Sequence, residues 1–98
     1  MSIVKKIKLN LIERDLESIV LFCSKIKVLQ EELNCLEERM EYNKNEFSSG
    51  NLSESIYNIN RKSSLKENRK LATSIGLNIK KSIKKVESIE KALKEVSI

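Results

Sequence analysis

Phe47-Ser48-Ser49-Gly50-Asn51-Leu52-Ser53-Glu54 holds the only turn chemistry in the chain, and its reading decides the fold. Gly50 and Asn51 tolerate left-handed backbone angles, which suits the C-terminal cap of a helix. Ser53, or Asn51, can then cap a following helix, and Glu54 falls in its first turn, where the helix dipole favours an acid. One helix therefore ends here and a second begins.

Upstream, apolar residues recur at Ile12, Leu16, Ile19, Cys23, Ile26, Leu29, Leu33, Leu36, Met40 and Phe47. The spacing alternates between three and four, with a phase slip between Cys23 and Leu29, as in a helix with a heptad-like seam. Phe22 sits beside Leu29 and Leu36 and widens the stripe, as on a bundle helix. Downstream, Leu65, Ala72, Ile75, Ile79, Ser82, Val86, Ile89, Leu93 and Val96 form a second seam, regular from Ala72 onward. Asn60-Arg61-Lys62-Ser63-Ser64 carries no apolar side chain, so either one continuous helix or a short helix followed by a long one fits there.

Charge selects a hairpin over two separate helices. Folding at Ser49-Gly50 places residue i opposite roughly 99 − i, by the geometry of a short connection between antiparallel helices. In that register Glu31, Glu32, Glu37 and Glu38 face Arg61, Lys62, Lys66, Arg69 and Lys70. Glu13, Asp15 and Glu17 face Lys81, Lys84 and Lys85, while Lys5 and Lys8 face Glu95 and Glu90. The seams match too: Met40 with Ile59, Leu33 with Leu65, Ile19 with Ile79, Ile12 with Val86, and Cys23 beside Gly76. The expected fold is all-α: an antiparallel two-helix coiled-coil hairpin in a single domain. The helices are expected at about residues 9–48 and 52–96, with the turn at about 48–52.

Composition agrees. The 98 residues include no Pro, 34% charged and only 4% aromatic residues, a mixture that belongs to long helices rather than sheets. No apolar run approaches the ~20 residues that cross a bilayer. Near the N-terminus Ile3, Val4, Ile7 and Leu11 interleave with Lys5, Lys6 and Lys8, which is not the layout of a cleavable signal. That segment fits either an anionic membrane surface or, preferred here, the first turns of the first helix docked on Val96 and Leu93. The expected location is the cytoplasm, or outside the cell by a route without a cleaved signal. Cys23 and Cys35 lie twelve residues apart on one predicted helix, about 18 Å along its axis, too far for a mutual disulfide.

Enzyme chemistry is not expected. Histidine is absent, which removes the commonest general base and metal ligand. No metal-binding cysteine spacing and no glycine-rich phosphate loop occurs. The glutamates read as surface ion pairs, and neither catalytic, metal nor cofactor-binding residues are assigned. Phe22, Leu29, Leu36, Leu71 and Leu77 are the candidate partner-binding face, since a lone hairpin cannot cover all of them. The expected function is a protein-interaction module that binds a helical partner or a second copy, completing a four-helix bundle. The alternative is an anion-binding module for nucleic acid or a membrane surface. Residues 51–98 carry eleven Lys or Arg against five Glu, net +6, and Lys80, Lys81, Lys84 and Lys85 would meet the anion. The bland reading is a solvated basic face neutralised by the first helix, and the register favours it.

A small helical hairpin with an aromatic residue and a glycine at its turn resembles the WXG-type proteins of type VII secretion and the small helical partners of LXG toxins. The residues that carry the resemblance are Ile7-Lys8-Leu9-Asn10-Leu11, Phe47-Ser48-Ser49-Gly50 and Ser55-Ile56. The family motif is Trp-x-Gly; here Phe47 replaces Trp, with one extra residue before Gly50. The resemblance implies a helper that packs on a larger secreted protein.

Overall fold

The computed structural model describes residues 2–97. It contains two helices, α1 (Ile3–Ser48) and α2 (Glu54–Ser97), and no strand among the described residues. The chain is an all-α antiparallel two-helix hairpin. Helix α1 begins at Ile3, several residues before the expected start. Helix α2 runs unbroken through Asn60–Ser64. Serine and asparagine cost a helix only tenths of a kcal/mol each, and no Pro or Gly interrupts that stretch.

The turn is built as its residues dictate. Gly50 takes φ 79°, the left-handed angle that a side chain resists. Its N–H donates to Phe47 O at 3.1 Å, and the Asn51 N–H donates to Glu46 O at 2.9 Å. These two bonds satisfy carbonyls that the end of α1 leaves free. Ser53 starts α2, its Oγ accepting from the Ile56 N–H at 3.3 Å. Phe47 stacks on Tyr57, with ring centroids 4.4 Å apart and planes 15° from parallel. Asn43 donates to Tyr57 O at 3.4 Å and accepts from Asn60 Nδ2 at 3.0 Å, tying the first turn of α2 to the last turns of α1.

By internal contacts the chain divides into two units: Lys27–Ile75, which holds the turn, and the residues up to Ile26 together with those from Gly76 onward. In the turn unit Leu36 is fully buried and Leu71 is buried, with Leu29, Leu33, Met40 and Asn43 of α1 partly covered against Tyr57, Ser64, Asn68, Ser74 and Ile75 of α2. In the other unit Ile12 is buried, and Asp15, Ile19, Phe22 and Ile26 line up against Asn78, Ser82, Lys85, Ile89, Ala92 and Val96.

The covered positions of α1 therefore run 12, 15, 19, 22, 26, 29, 33, 36, 40, 43, an unbroken three-four alternation. The expected phase slip is absent, because Asp15 and Phe22 occupy the seam in place of Leu16 and Cys23, which are exposed. On α2, Ile75, Ser82, Ile89 and Val96 lie in the seam as expected. Leu65, Ala72, Ile79, Val86 and Leu93 stand one residue outside it and are exposed.

The register also shifts. Lys8–Glu95, Asp15–Ser88 and Phe22–Lys81 each pair residue i with 103 − i, and in the turn unit Asn43–Asn60 does the same. The offset from 99 − i is about one helical turn. Its cause is the connection: α1 continues to Ser48 and α2 waits until Glu54, so the chain reverses about Asn51 rather than Ser49-Gly50. Ile59, Ile79 and Val86, the expected partners of Met40, Ile19 and Ile12, are exposed, and the offset sets them about one turn from those residues. Gly76 is exposed, with open space where a Cβ would stand, so it marks no close approach of the backbones.

Candidate interaction surface

The two sides of the seam differ in chemistry. In an antiparallel coiled coil the positions flanking the seam on one helix lie beside the equivalent positions on the other. In the unit away from the turn one side is polar. Lys81, Ser88 and Glu95, seven residues apart on α2, reach to Phe22, Asp15 and Lys8, seven apart on α1. Lys8 Nζ meets Glu95 Oε2 at 2.8 Å, and Ser88 Oγ donates to Asp15 Oδ2 at 2.8 Å. Lys81 Nζ stands 6.0 Å from the centre of the Phe22 ring. Lys85 Nζ adds a second contact to Asp15, at 3.4 Å from Oδ1. The hydrogen bond from Lys8, helped by its charge, holds the Glu95 carboxyl below its ordinary pKa. In the turn unit Arg39 and Glu67 pair at 3.3 Å across the corresponding side.

The other side of the same unit is apolar. Leu9, Leu16 and Cys23 flank the seam on α1, and Ile79, Val86 and Leu93 flank it on α2. Val20 and Ile83 extend the two edges outward by helical spacing. Leu16, Val20, Ile79, Ile83, Val86 and Leu93 are between 43% and 64% exposed. In the turn unit the matching α1 positions are Gln30, Glu37 and Lys44, so Leu65 and Ala72 have no apolar counterpart there.

Phe22, Leu29 and Leu36 recur every seven residues on the side of α1 that α2 covers, and Leu71 is buried opposite them. The hairpin itself consumes this face, and the expectation of an exposed docking surface there is corrected. Leu77 is exposed, but its helical position lies on the side of the polar contacts. The basic cluster is split: Lys81 and Lys85 are engaged across the seam, while Lys80 and Lys84 are exposed. Ile3, Val4, Ile7 and Leu11 lie in the first turns of α1 but are exposed rather than docked; Ile12 is buried in the seam, and Leu9 beside it is half-buried.

Cys23 and Cys35 are free and exposed. Among the described residues no group of three metal-capable side chains comes together, and no helix is long and apolar enough to cross a membrane. Leu16, Cys23, Ile79, Val86 and Leu93 of the apolar side are the residues that apolar spacing places in the seam; Val20 and Ile83 fall outside that spacing. Comparison with protein-family models, with curated proteins and with solved structures returned no match.

Proposed function

We propose that the chain is a protein-interaction module, without chemistry of its own, that binds a helical partner through the side of the hairpin bearing Leu16, Val20, Ile79, Ile83, Val86 and Leu93. One observation carries the reading. On both helices of that unit the most apolar stripe is rotated off the line of mutual contact, and both are rotated towards the same side. On α1 the stripe is Ile12, Leu16, Ile19, Cys23 and Ile26; on α2 it is Ile79, Ser82, Val86, Ile89, Leu93 and Val96. A helix with one neighbour needs only the narrow seam, whereas a bundle helix between two neighbours carries this wider face. The missing neighbour is therefore a second helical layer. A helper packed on a larger secreted protein, as the type VII resemblance implies, is one such layer. The reading suits a cytoplasmic chain as well as one exported without a cleaved signal.

Salt dependence tests it against anion binding. Contact through an apolar face responds little to ionic strength, because screening acts on charges. Neutralising phosphates of a duplex gives a log–log salt slope of about 0.9 per contact. Titrations against a duplex DNA and against anionic vesicles, between low and high salt, are expected to find no tight, steeply salt-dependent binding. If such binding appears and is abolished by the combined Lys80→Glu/Lys84→Glu change, the basic helix is the site and the interaction reading fails.

A further inference from the structure

Resting on that reading, we infer that the layer covering this side is a second copy of the chain, docked face to face about a two-fold axis to make a four-helix bundle. Three features of the face point to a copy of itself.

The first is symmetry. Leu9, Leu16 and Cys23 span two heptads of α1, and Ile79, Val86 and Leu93 span two heptads of α2. The observed pairing of i with 103 − i puts Leu16 and Val86 at one level, in the middle of both rows. An isologous contact uses the same patch twice, so a two-fold axis through its centre must bring apolar residues of one copy onto apolar residues of the other. This one has equal rows and a shared midpoint.

The second is area. A standard interface covers about 800 Å² per partner, and in homodimers about 65% of it is apolar, roughly 520 Å². The exposed fractions of Leu16, Val20, Ile79, Ile83, Val86 and Leu93 amount to roughly 500–600 Å² of apolar surface at ordinary side-chain sizes. The face therefore supplies the apolar half-interface of one dimer.

The third is the rim. Glu13 and Glu17 border the face on α1, and Lys80, Glu87, Glu90 and Lys94 border it on α2. Both signs are present, so no single-sign field demands an acidic or a basic partner. The opposite side also exposes apolar residues, Val4, Ile7, Leu11, Leu21 and Leu77, but α2 contributes only Leu77 among Lys81, Lys84, Ser88, Lys91 and Glu95, so no matched pair of rows forms there.

The test is oligomeric state by sedimentation equilibrium over a dilution series of the full chain. At about 100 μM, far above the micromolar range of a weak specific contact, the expected mass is twice the 11.3 kDa of the chain. The Leu16→Lys/Val86→Lys variant is expected to sediment as a monomer. The Leu21→Lys/Leu77→Lys variant, altered on the opposite side, stays dimeric. Helix content by circular dichroism accompanies both. A second measurement does not depend on weakening the fold: chains freed of Cys23 and Cys35 and carrying Leu16→Cys are mixed with chains carrying Val86→Cys and oxidised. A two-fold contact centred on these residues brings Leu16 to Leu16 or Leu16 to Val86 of the other copy, so a covalent dimer forms in the mixture. The Leu21→Cys and Leu77→Cys mixture gives none. A wild-type monomer at about 100 μM, or equal loss of the dimer in both lysine variants, overturns the inference. If the monomer nevertheless binds another helical protein, and Leu16→Lys/Val86→Lys abolishes that binding, the interaction module stands while self-association falls. If neither is seen, both fall.

Discussion

Truncating Leu36 to Ala removes the one side chain that is wholly buried among the described residues. The change deletes three carbons, and at about 0.8 kcal/mol per buried methylene the lost transfer energy is about 2.4 kcal/mol. A cavity term adds to this in deep cores. Here it is small, because the flanking Leu33 and Met40 are only partly covered and can relax into the space. Alanine's better helix propensity returns only a few tenths of a kcal/mol. The expected loss is therefore about 2–3 kcal/mol, the lower half of the range for leucine truncations. The comparison is Leu77→Ala, at a half-exposed position of the same helical type, where a change within about 0.5 kcal/mol is expected. Urea unfolding followed by helical circular dichroism reads both, at one protein concentration, since an associating chain has concentration-dependent stability. If the two variants lose the same stability within error, Leu36 does not organise the seam and the heptad assignment of the turn unit is wrong.

The two glycines are expected to respond in opposite directions. Gly50→Ala must hold a left-handed φ of 79° and is expected to lose about 1–2 kcal/mol. Gly76→Ala, in mid-helix with open space at its Cβ, is expected to gain about 0.5–1 kcal/mol in the same unfolding assay. Glu95 is expected to titrate below the ordinary carboxylate range by carboxyl NMR and to return to it in Lys8→Met. The sign follows from the lowered value: the Lys8–Glu95 contribution is present above the unfolded pKa and fades as pH falls through the folded one. Raised salt weakens it, since both groups are partly exposed.

The turn was fully legible because its conformation is local: a glycine at the left-handed position and a serine three residues before a free N–H suffice. The two-helix fold followed from it. The seam was legible only in part, and the failures share a cause. Periodicity reports the direction in which a helix is most apolar, not the direction of its neighbour in the same chain. Where the two coincide, as at Ile19, Leu33, Leu36, Ile75 and Ile89, the reading holds. At Asp15, Ser64, Asn78 and Lys85 a polar residue occupies the seam beside an exposed apolar one, and counting apolar residues selects the wrong member of the pair. The register error has a different source. Charge blocks repeat about every turn, so they match nearly as well when shifted by four residues, and only the length of the connection, Ser49 to Ser53, breaks the tie.

The polar rungs of the far unit also act as a spelling check on how the chain doubles back. Lys8, Asp15 and Phe22 meet Glu95, Ser88 and Lys81, and no two rungs carry the same pair of chemistries. Slide α2 by one heptad in one direction and Asp15 confronts Glu95, acid against acid, with Phe22 beside Ser88. Slide it the other way and Asp15 gains Lys81, but Lys8 finds only Ser88 and Phe22 trades its cation for Ser74. A heptad repeat by itself reads the same after every seven residues; a ladder of unlike rungs does not. The order of three modest contacts thereby supplies what apolar packing alone lacks, a means for two regular helices to tell one alignment from the next.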